Sequence, residues 1–247
     1  MKKFLLLLCG FSVCVINTQE PRIKLYAFYT PSHKALLDDW FLPSLKDDFE
    51  LVLECREQKC QGGVYRKDGW VDAVAYTADM VIRGIKENWG GYFIYSDVDI
   101  QFFRPIKKIV KELIVNNDMV IQKARPSGSP CSGFFVCRGN DRTLFLWEEI
   151  RRRLNDKAYR EANPEDIGDQ EELRKLIFES NPFNIVWRLL PDGFFTGGTL
   201  TGKQWYPGER LLLPKDIFLH HANWTIGMEN KIAQLKYVKN VFDNRNK

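Results

Sequence analysis

Short, nearly continuous apolar runs alternate with amphipathic stretches along most of this chain, and that alternation restricts the fold more than any other feature. IKLYAFY (23–29) and FELVLE (49–54) are β-rich runs, and HKALLDDWFLPSL between them reads as a helix up to Pro43. VDAVAYTADMVIRGIKEN then sets Val71, Val74, Ala75, Ala78, Val81, Ile82 and Ile85 at helical spacing, with Gly90 and Gly91 as the stop. YFIYS (92–96), DMVIQK (118–123) and GFFVC (133–137) repeat the strand signal, with a helical IKKIVKELI between the first two. Buried strands alternating with amphipathic helices predict an α/β domain on a mostly parallel sheet.

Two further helical runs, TLFLWEEIRRRLN and DQEELRKLIFES, lead into PDGFFTGGTLTGKQWYPG, a loop rich in glycine and proline. No repeat and no low-complexity linker divides the chain, so residues 21–247 read as one domain. At 247 residues, 45% of them apolar, there is material for a sizeable core. The net charge is +4, and Lys2 and Lys3 supply two of those positive charges, which argues against a nucleic-acid partner.

Those lysines begin MKKFLLLLCGFSVCVINTQ, in which an apolar run from Phe4 to Ile16 gives way to polar residues. Residues 1–19 therefore read as a secretory signal, with an uncleaved anchor or a first buried strand as the alternatives. The expected destination is an exported or lumenal one, with membrane contact only through this segment if it is retained. Cys55, Cys60, Cys131 and Cys137 then remain, an even number compatible with disulfides. Cys131 and Cys137 cannot bridge each other if SGFFV between them is extended, because the ends of such a segment lie about 20 Å apart.

Ligands of an open parallel sheet bind at the carboxyl ends of its strands. There, YFIYSDVDIQFF places Asp97 and Asp99 directly after a buried strand. In extended backbone, side chains two apart share a face with their Cα atoms roughly 6 to 7 Å apart, so both carboxylates can act on one hydrated cation. By itself the pair is compatible with a metal site, a phosphatase or a solvated turn. Two like charges beside a hydrophobic run are costly without a cation, which favours the metal. A dehalogenase-type phosphatase requires Thr or Val where Gln101 stands, and usually carries its motif on the first strand.

Other candidates are weaker alone. IFLHHANWTIGMENKI brings together His220, His221, Asn223 and Lys231, an imidazole pair followed by a compact counter-charge for phosphate. In GDQEE, Asp169 and Gln170 stand at a helix start, where a carboxylate is often only a cap. Gly133 in CSGFF permits close backbone approach. GGTLTGKQ falls short of a phosphate loop because Gln204 replaces Ser or Thr and Trp205, Tyr206 and Pro207 follow. NWT at 223–225 is a formal glycosylation sequon, but its place in the histidine cluster favours a site role.

IYSDVDIQFF, CSGFFVCR, GDQEEL and HHANWTIGMENKI, in this order, resemble the nucleotide-diphospho-sugar transferase family of GT-A-fold glycosyltransferases. The resemblance implies a Rossmann-like three-layer α/β fold with a mostly parallel sheet. It also implies a metal-dependent enzyme that moves a sugar from a UDP- or GDP-sugar to an acceptor, with retention of configuration. Its most specific element is the strand-end D-x-D combined with H-x-N-x-x-x-G-x-x-x-K, His221 to Lys231.

By that resemblance Asp99, Asp97 and His221 would hold Mn²⁺ (or Mg²⁺), with Asp97 also at the ribose or a metal-bound water. Lys231 would meet the diphosphate beside Asn223 and Gly227. Phe28, Tyr29 and Thr30 would lie near the nucleobase, and Arg83 would reach the phosphates. Asp169 and Gln170 would serve the reacting sugar, with Ser132 and Gly133 close to it. A carbohydrate-binding protein without catalysis on the same scaffold is the alternative. Residues 159–167 and 197–202 match no pattern, and the acceptor is not specified by any motif.

Overall fold

The computed structural model describes residues 22–61 and 65–246. The N-terminal segment 1–19 lies outside them. Among the described residues no helix is long and apolar enough to cross a membrane.

Strand β1 (Lys24–Tyr29) runs parallel to β2 (Glu50–Cys55) on one side and to β3 (Tyr92–Ser96) on the other. Between β1 and β2, residues 31–44 are helical, with α1 (Lys34–Leu36) and α2 (Leu42–Ser44) on either side of a π-turn, Leu37–Phe41. The helix thus continues through Pro43 instead of stopping there. The π-turn changes the hydrogen-bond step just ahead of the residue whose missing N–H would interrupt a regular ladder.

Helix α3 (Trp70–Glu87) precedes β3, and β4 (Ile100–Phe102) follows it closely. Next come α4 (Lys107–Ile114), β5 (Met119–Lys123) and β6 (Pro130–Arg138). Helices α5 (Asp141–Asn155), α6 (Lys157–Ala162) and α7 (Asp169–Leu173) lead to β7 (Trp187–Leu189), β8 (Phe194–Thr196) and β9 (Leu219–His221). Helix α8 (Met228–Arg245) ends the chain. The strand order is β2-β1-β3-β6-β5-β8-β9-β4, with β7 also on β5. The sheet is mixed but mostly parallel: β6 is antiparallel to β3 and β5, and β4 is antiparallel to β9.

Alternation along the strands divides the core between two faces. Tyr26, Phe93, Tyr95 and Phe135 face α3 and α5, where Phe135 stacks on the fully buried Trp147. Leu25, Ala27, Ile94, Phe134 and Val136 face residues 31–44 and α4. Helices on both faces make the three-layer α/β arrangement. Close packing of α3 on β3 depends on Gly84, where a Cβ would fall 2.6 Å from the Phe93 ring.

The thiols of Cys55, Cys131 and Cys137 are free. The disulfides that the cysteine count allowed are not formed by these residues, and Cys131 and Cys137 share the extended β6.

Asp118 ties three elements together just ahead of β5. It accepts hydrogen bonds from Arg142 Nη2 at 2.7 Å, Asn140 Nδ2 at 2.7 Å and the Val186 amide at 2.8 Å. Burial pushes its carboxyl up, but the bonds from Arg142, Val186 and Asn140 outweigh it, and the net shift is down. A depressed folded-state value means that this stabilisation is present above the ordinary Asp range, near about 4, and is lost as pH falls through the folded value. Urea unfolding over an acidic pH series should show Asp118→Asn losing less stability than the wild type as pH drops. Parallel curves would deny Asp118 that role.

Candidate active site

Asp97 and Asp99 occupy a bend between β3 and β4, not the extended backbone that strand spacing suggests. They converge because Val98 between them is buried in the core. Partner strands bring the rest. In the antiparallel β4–β9 pair Ile100 lies opposite His221, and the Ala222 amide donates to the Asp99 carbonyl at 2.9 Å. On the other side the Asp97 amide donates to the Gly133 carbonyl of β6 at 2.7 Å.

His221 Nε2 lies 3.1 Å from Asp99 Oδ1 and 3.7 Å from Asp97 Oδ2. One ligand atom from each of these three residues falls within 4.8 Å of the other two. Lys231, in the second turn of α8, ion-pairs with the other oxygen of Asp99. Gly227 begins that helix at φ +91°, a conformation that suits glycine. Tyr95 donates to Asp97 Oδ1 at 3.0 Å.

The electrostatics follow from the crowding. Burial and the neighbouring Asp99 push the Asp97 carboxyl up. Burial also opposes ionisation of Asp99, but Lys231 and His221 hold its carboxyl well below the usual range. Burial lowers His221, yet Asp99 and Cys131 raise it further, to about 10. The buried Asp99 and the half-exposed Asp97 thus share one place with His221 and Lys231.

The donor set suits a divalent cation. Two carboxylates and an imidazole are the oxygen and nitrogen ligands such ions take. His221 Nδ1 lies 3.2 Å from the buried Gln122 Oε1, the outer partner that leaves Nε2 directed at the carboxylates. Gly133 leaves the cradle open, since a Cβ there would fall 2.2 Å from His221 Cε1 and 2.7 Å from Asp97 Oδ2. Asn223 Oδ1 beside this group is buried without a hydrogen-bond partner among the described residues.

The cluster forms part of the wall of a cavity of about 430 Å³. The structure brings together Phe28, Tyr29, Thr30, Asp97, Asp99, Ser132, Gly133, Asp169, Gln170, His221, Asn223, Gly227 and Lys231 along that wall. Arg83 is the exception and corrects the expectation that it reaches the phosphates. It lies on the exposed flank of α3, paired with Glu54 and Glu87. Trp70, Ala73, Val74 and Thr77 from the first half of α3 line the cavity. Arg83 lies six residues beyond Thr77, about 9 Å further along the axis and away from the strands' carboxyl ends.

Asp169 is buried and lines the same cavity as Ser132. Burial, with Asp97 and Glu171 nearby, pushes its carboxyl up to about 7. Its place on the cavity wall sets it apart from a residue that only caps a helix.

His33, Tyr65 and Arg125 also line the cavity and were not singled out by any motif, and Trp224 of the NWT stretch lines it too. Thr30 Oγ1 and Ser32 Oγ each lie 3.0 Å from His33 Nδ1. The only sequence signal for His33 is its position just past the first strand. Trp224 is held at φ +56° with its indole over Gly198.

A candidate metal-ligand cluster lines a cavity at the carboxyl ends of strands in an α/β sheet, the place where such sheets bind ligands. The sequence model of the nucleotide-diphospho-sugar transferase family matches residues 88–235, more than half of the chain. The protein belongs to that family and is a glycosyltransferase. Its fold is similar to that of a glycosyltransferase involved in glycosylation of the major capsid of PBCV-1, with a TM-score of 0.55 at 12% identity, covering 89% of this chain and 99% of that one. Mouse xyloside xylosyltransferase 1 aligns with a TM-score of 0.45 at 11% identity, over 82% of this chain and 98% of that one. No curated protein matches.

Proposed function

We propose that the protein transfers a sugar from a UDP- or GDP-sugar to a hydroxylated acceptor, with retention of configuration, in a reaction that depends on Mn²⁺ or Mg²⁺. The observation that carries this reading is the convergence of Asp97, Asp99 and His221 beside Lys231 in one cavity wall. Asp97, Asp99 and His221 would hold the ion, which when bound supplies Lewis-acid stabilisation of the departing diphosphate. Lys231 exchanges its ion pair with Asp99 for the phosphate oxygens and neutralises charge that grows as the sugar leaves.

Phe28, Tyr29 and Thr30, at the end of β1, receive the nucleobase in this reading. Ser132 and Gly133 face the sugar. Asp169 and Gln170 stand at its reacting side, where a carboxylate or amide stabilises an oxocarbenium-like carbon or orients the acceptor. The lysine-led apolar segment at residues 1–19 supports export as part of the same proposal.

Thermal unfolding with UDP, GDP and their sugars, each with and without Mn²⁺, tests the donor assignment. A rise in Tm that requires metal and one of the two nucleotides is expected. No rise with any nucleotide in the presence of Mn²⁺ would rule this reading out.

A further inference from the structure

A second cavity, of about 360 Å³, adjoins the first and shares Tyr65, Arg125, Gln170 and Glu171 with it. Two of these shared residues are open to a ligand, Glu171 through a buried oxygen without a donor and the exposed Arg125 through a charge without a carboxylate partner. Tyr65 donates to Glu171 Oε1 at 3.2 Å, while Glu171 Oε2 is buried with no hydrogen-bond partner among the described residues. Room for that oxygen depends on Gly168, where a Cβ would fall 2.4 Å away. A buried acceptor oxygen without a donor is costly, and a ligand O–H meets the need.

Arg125 is the second. Its guanidinium stacks 4.8 Å from the centroid of the Trp224 ring, and no carboxylate among the described residues pairs with it. The indole is fixed from behind, because a Cβ at Gly198 would fall 2.4 Å from it. The other arginines of the second cavity are already matched, Arg66 by Glu165 and Arg174 by Asp166 and Glu179. The shared wall therefore offers one hydrogen-bond acceptor and one uncompensated cation.

We infer that the second cavity is the acceptor site and that it takes a sugar bearing an anionic group, a carboxylate or a phosphate. A hydroxyl of that sugar donates to Glu171 Oε2, and its anion pairs with Arg125. A neutral sugar satisfies only the first. Guanidinium and planar carboxylate or phosphate match in geometry as well as charge. In the transfer, the acceptor oxygen bonds to the anomeric carbon and the bond from that carbon to phosphate oxygen breaks. The electron pair stays with the nucleoside diphosphate, whose oxygen takes the hydroxyl proton. The inference rests on the first cavity being the donor site.

The test titrates methyl β-glucuronide, glucose 6-phosphate and methyl β-glucoside against the full chain by saturation-transfer NMR, with Mg²⁺ and UDP or GDP present. At least one anionic sugar should bind about tenfold more tightly than the glucoside. Which of the two does so distinguishes carboxylate from phosphate. Arg125→Gln should remove that preference, with the Tm response to nucleotide and Mn²⁺ read alongside. Glu171→Met, which removes the acceptor, should weaken the anionic sugar and the glucoside alike. Equal affinity for charged and neutral sugars, or no binding at high millimolar concentration, overturns the inference. So does loss of the nucleotide response in Arg125→Gln, which would move Arg125 to the donor. If the wild type responds to no nucleotide, the donor reading fails instead, and this inference with it.

Discussion

Asp99→Asn should reduce sugar transfer by roughly a thousandfold or more and abolish tight Mn²⁺ binding, because it removes the one carboxylate that both His221 and Lys231 hold ionised. The change keeps the side chain's shape, so packing around Val98 and Ile100 is preserved. It leaves the Lys231 ammonium without its partner in a mostly buried place, at a cost of up to about 3 kcal/mol. Adding Lys231→Met should therefore recover stability without recovering transfer. Mn²⁺ binding followed by electron paramagnetic resonance, with urea unfolding alongside, separates the two effects. Transfer within tenfold of the wild type in Asp99→Asn would remove the metal role from this residue.

Gly133→Ala is the second large effect expected, and it acts through a single methyl. The added carbon would fall 2.2 Å from His221 Cε1 and 2.7 Å from Asp97 Oδ2, closer than any contact can remain. Residues 132–134 form a bulge opposite β5, but β6 pairs with β3 from Phe134 onward and the Gly133 carbonyl accepts from the Asp97 amide, so a backbone shift would carry the Asp97 segment with it. The imidazole and the carboxylate must move instead. Metal affinity should fall about 10- to 100-fold. The overpacking itself costs about 1–3 kcal/mol, so the variant should still fold. Calorimetric titration with Mn²⁺ reads the first quantity and thermal unfolding the second. Unchanged metal affinity in a folded Gly133→Ala protein would mean that the cradle is not where the ion binds.

Much of this site was legible in the chain because its parts stand at element ends that periodicity marks. Asp97 follows a strand too short and too apolar to be anything else, and Asp169 and Gln170 open a helix. Lys231 could be linked to them only by order and spacing, as part of a recurrent combination. Arg83 was misplaced for a definite reason: helical spacing tells which face a residue shares, not how far along the axis the helix meets the strand ends. Helix α3 presents its first half to the cavity and leaves Arg83 to Glu54 and Glu87. His33 carried only its position just past the first strand, and Arg125 carried no local signal, since its ring partner Trp224 lies about 100 residues away.

The sequence by itself determined the α/β layering, the candidate carboxylates and the family resemblance, because strand and helix periods and short motifs are local properties. Residue pattern alone did not separate the two histidines, and only the resemblance pointed to His221 over His220. Tertiary structure decided that through the β4–β9 register: Ile100 opposite His221 turns that imidazole toward Asp99, and His220 is turned into the core against Phe195 and Gln234. Side chains of adjacent strand residues point to opposite faces, so the pairing partner of one strand residue selects one imidazole for chemistry and the other for packing.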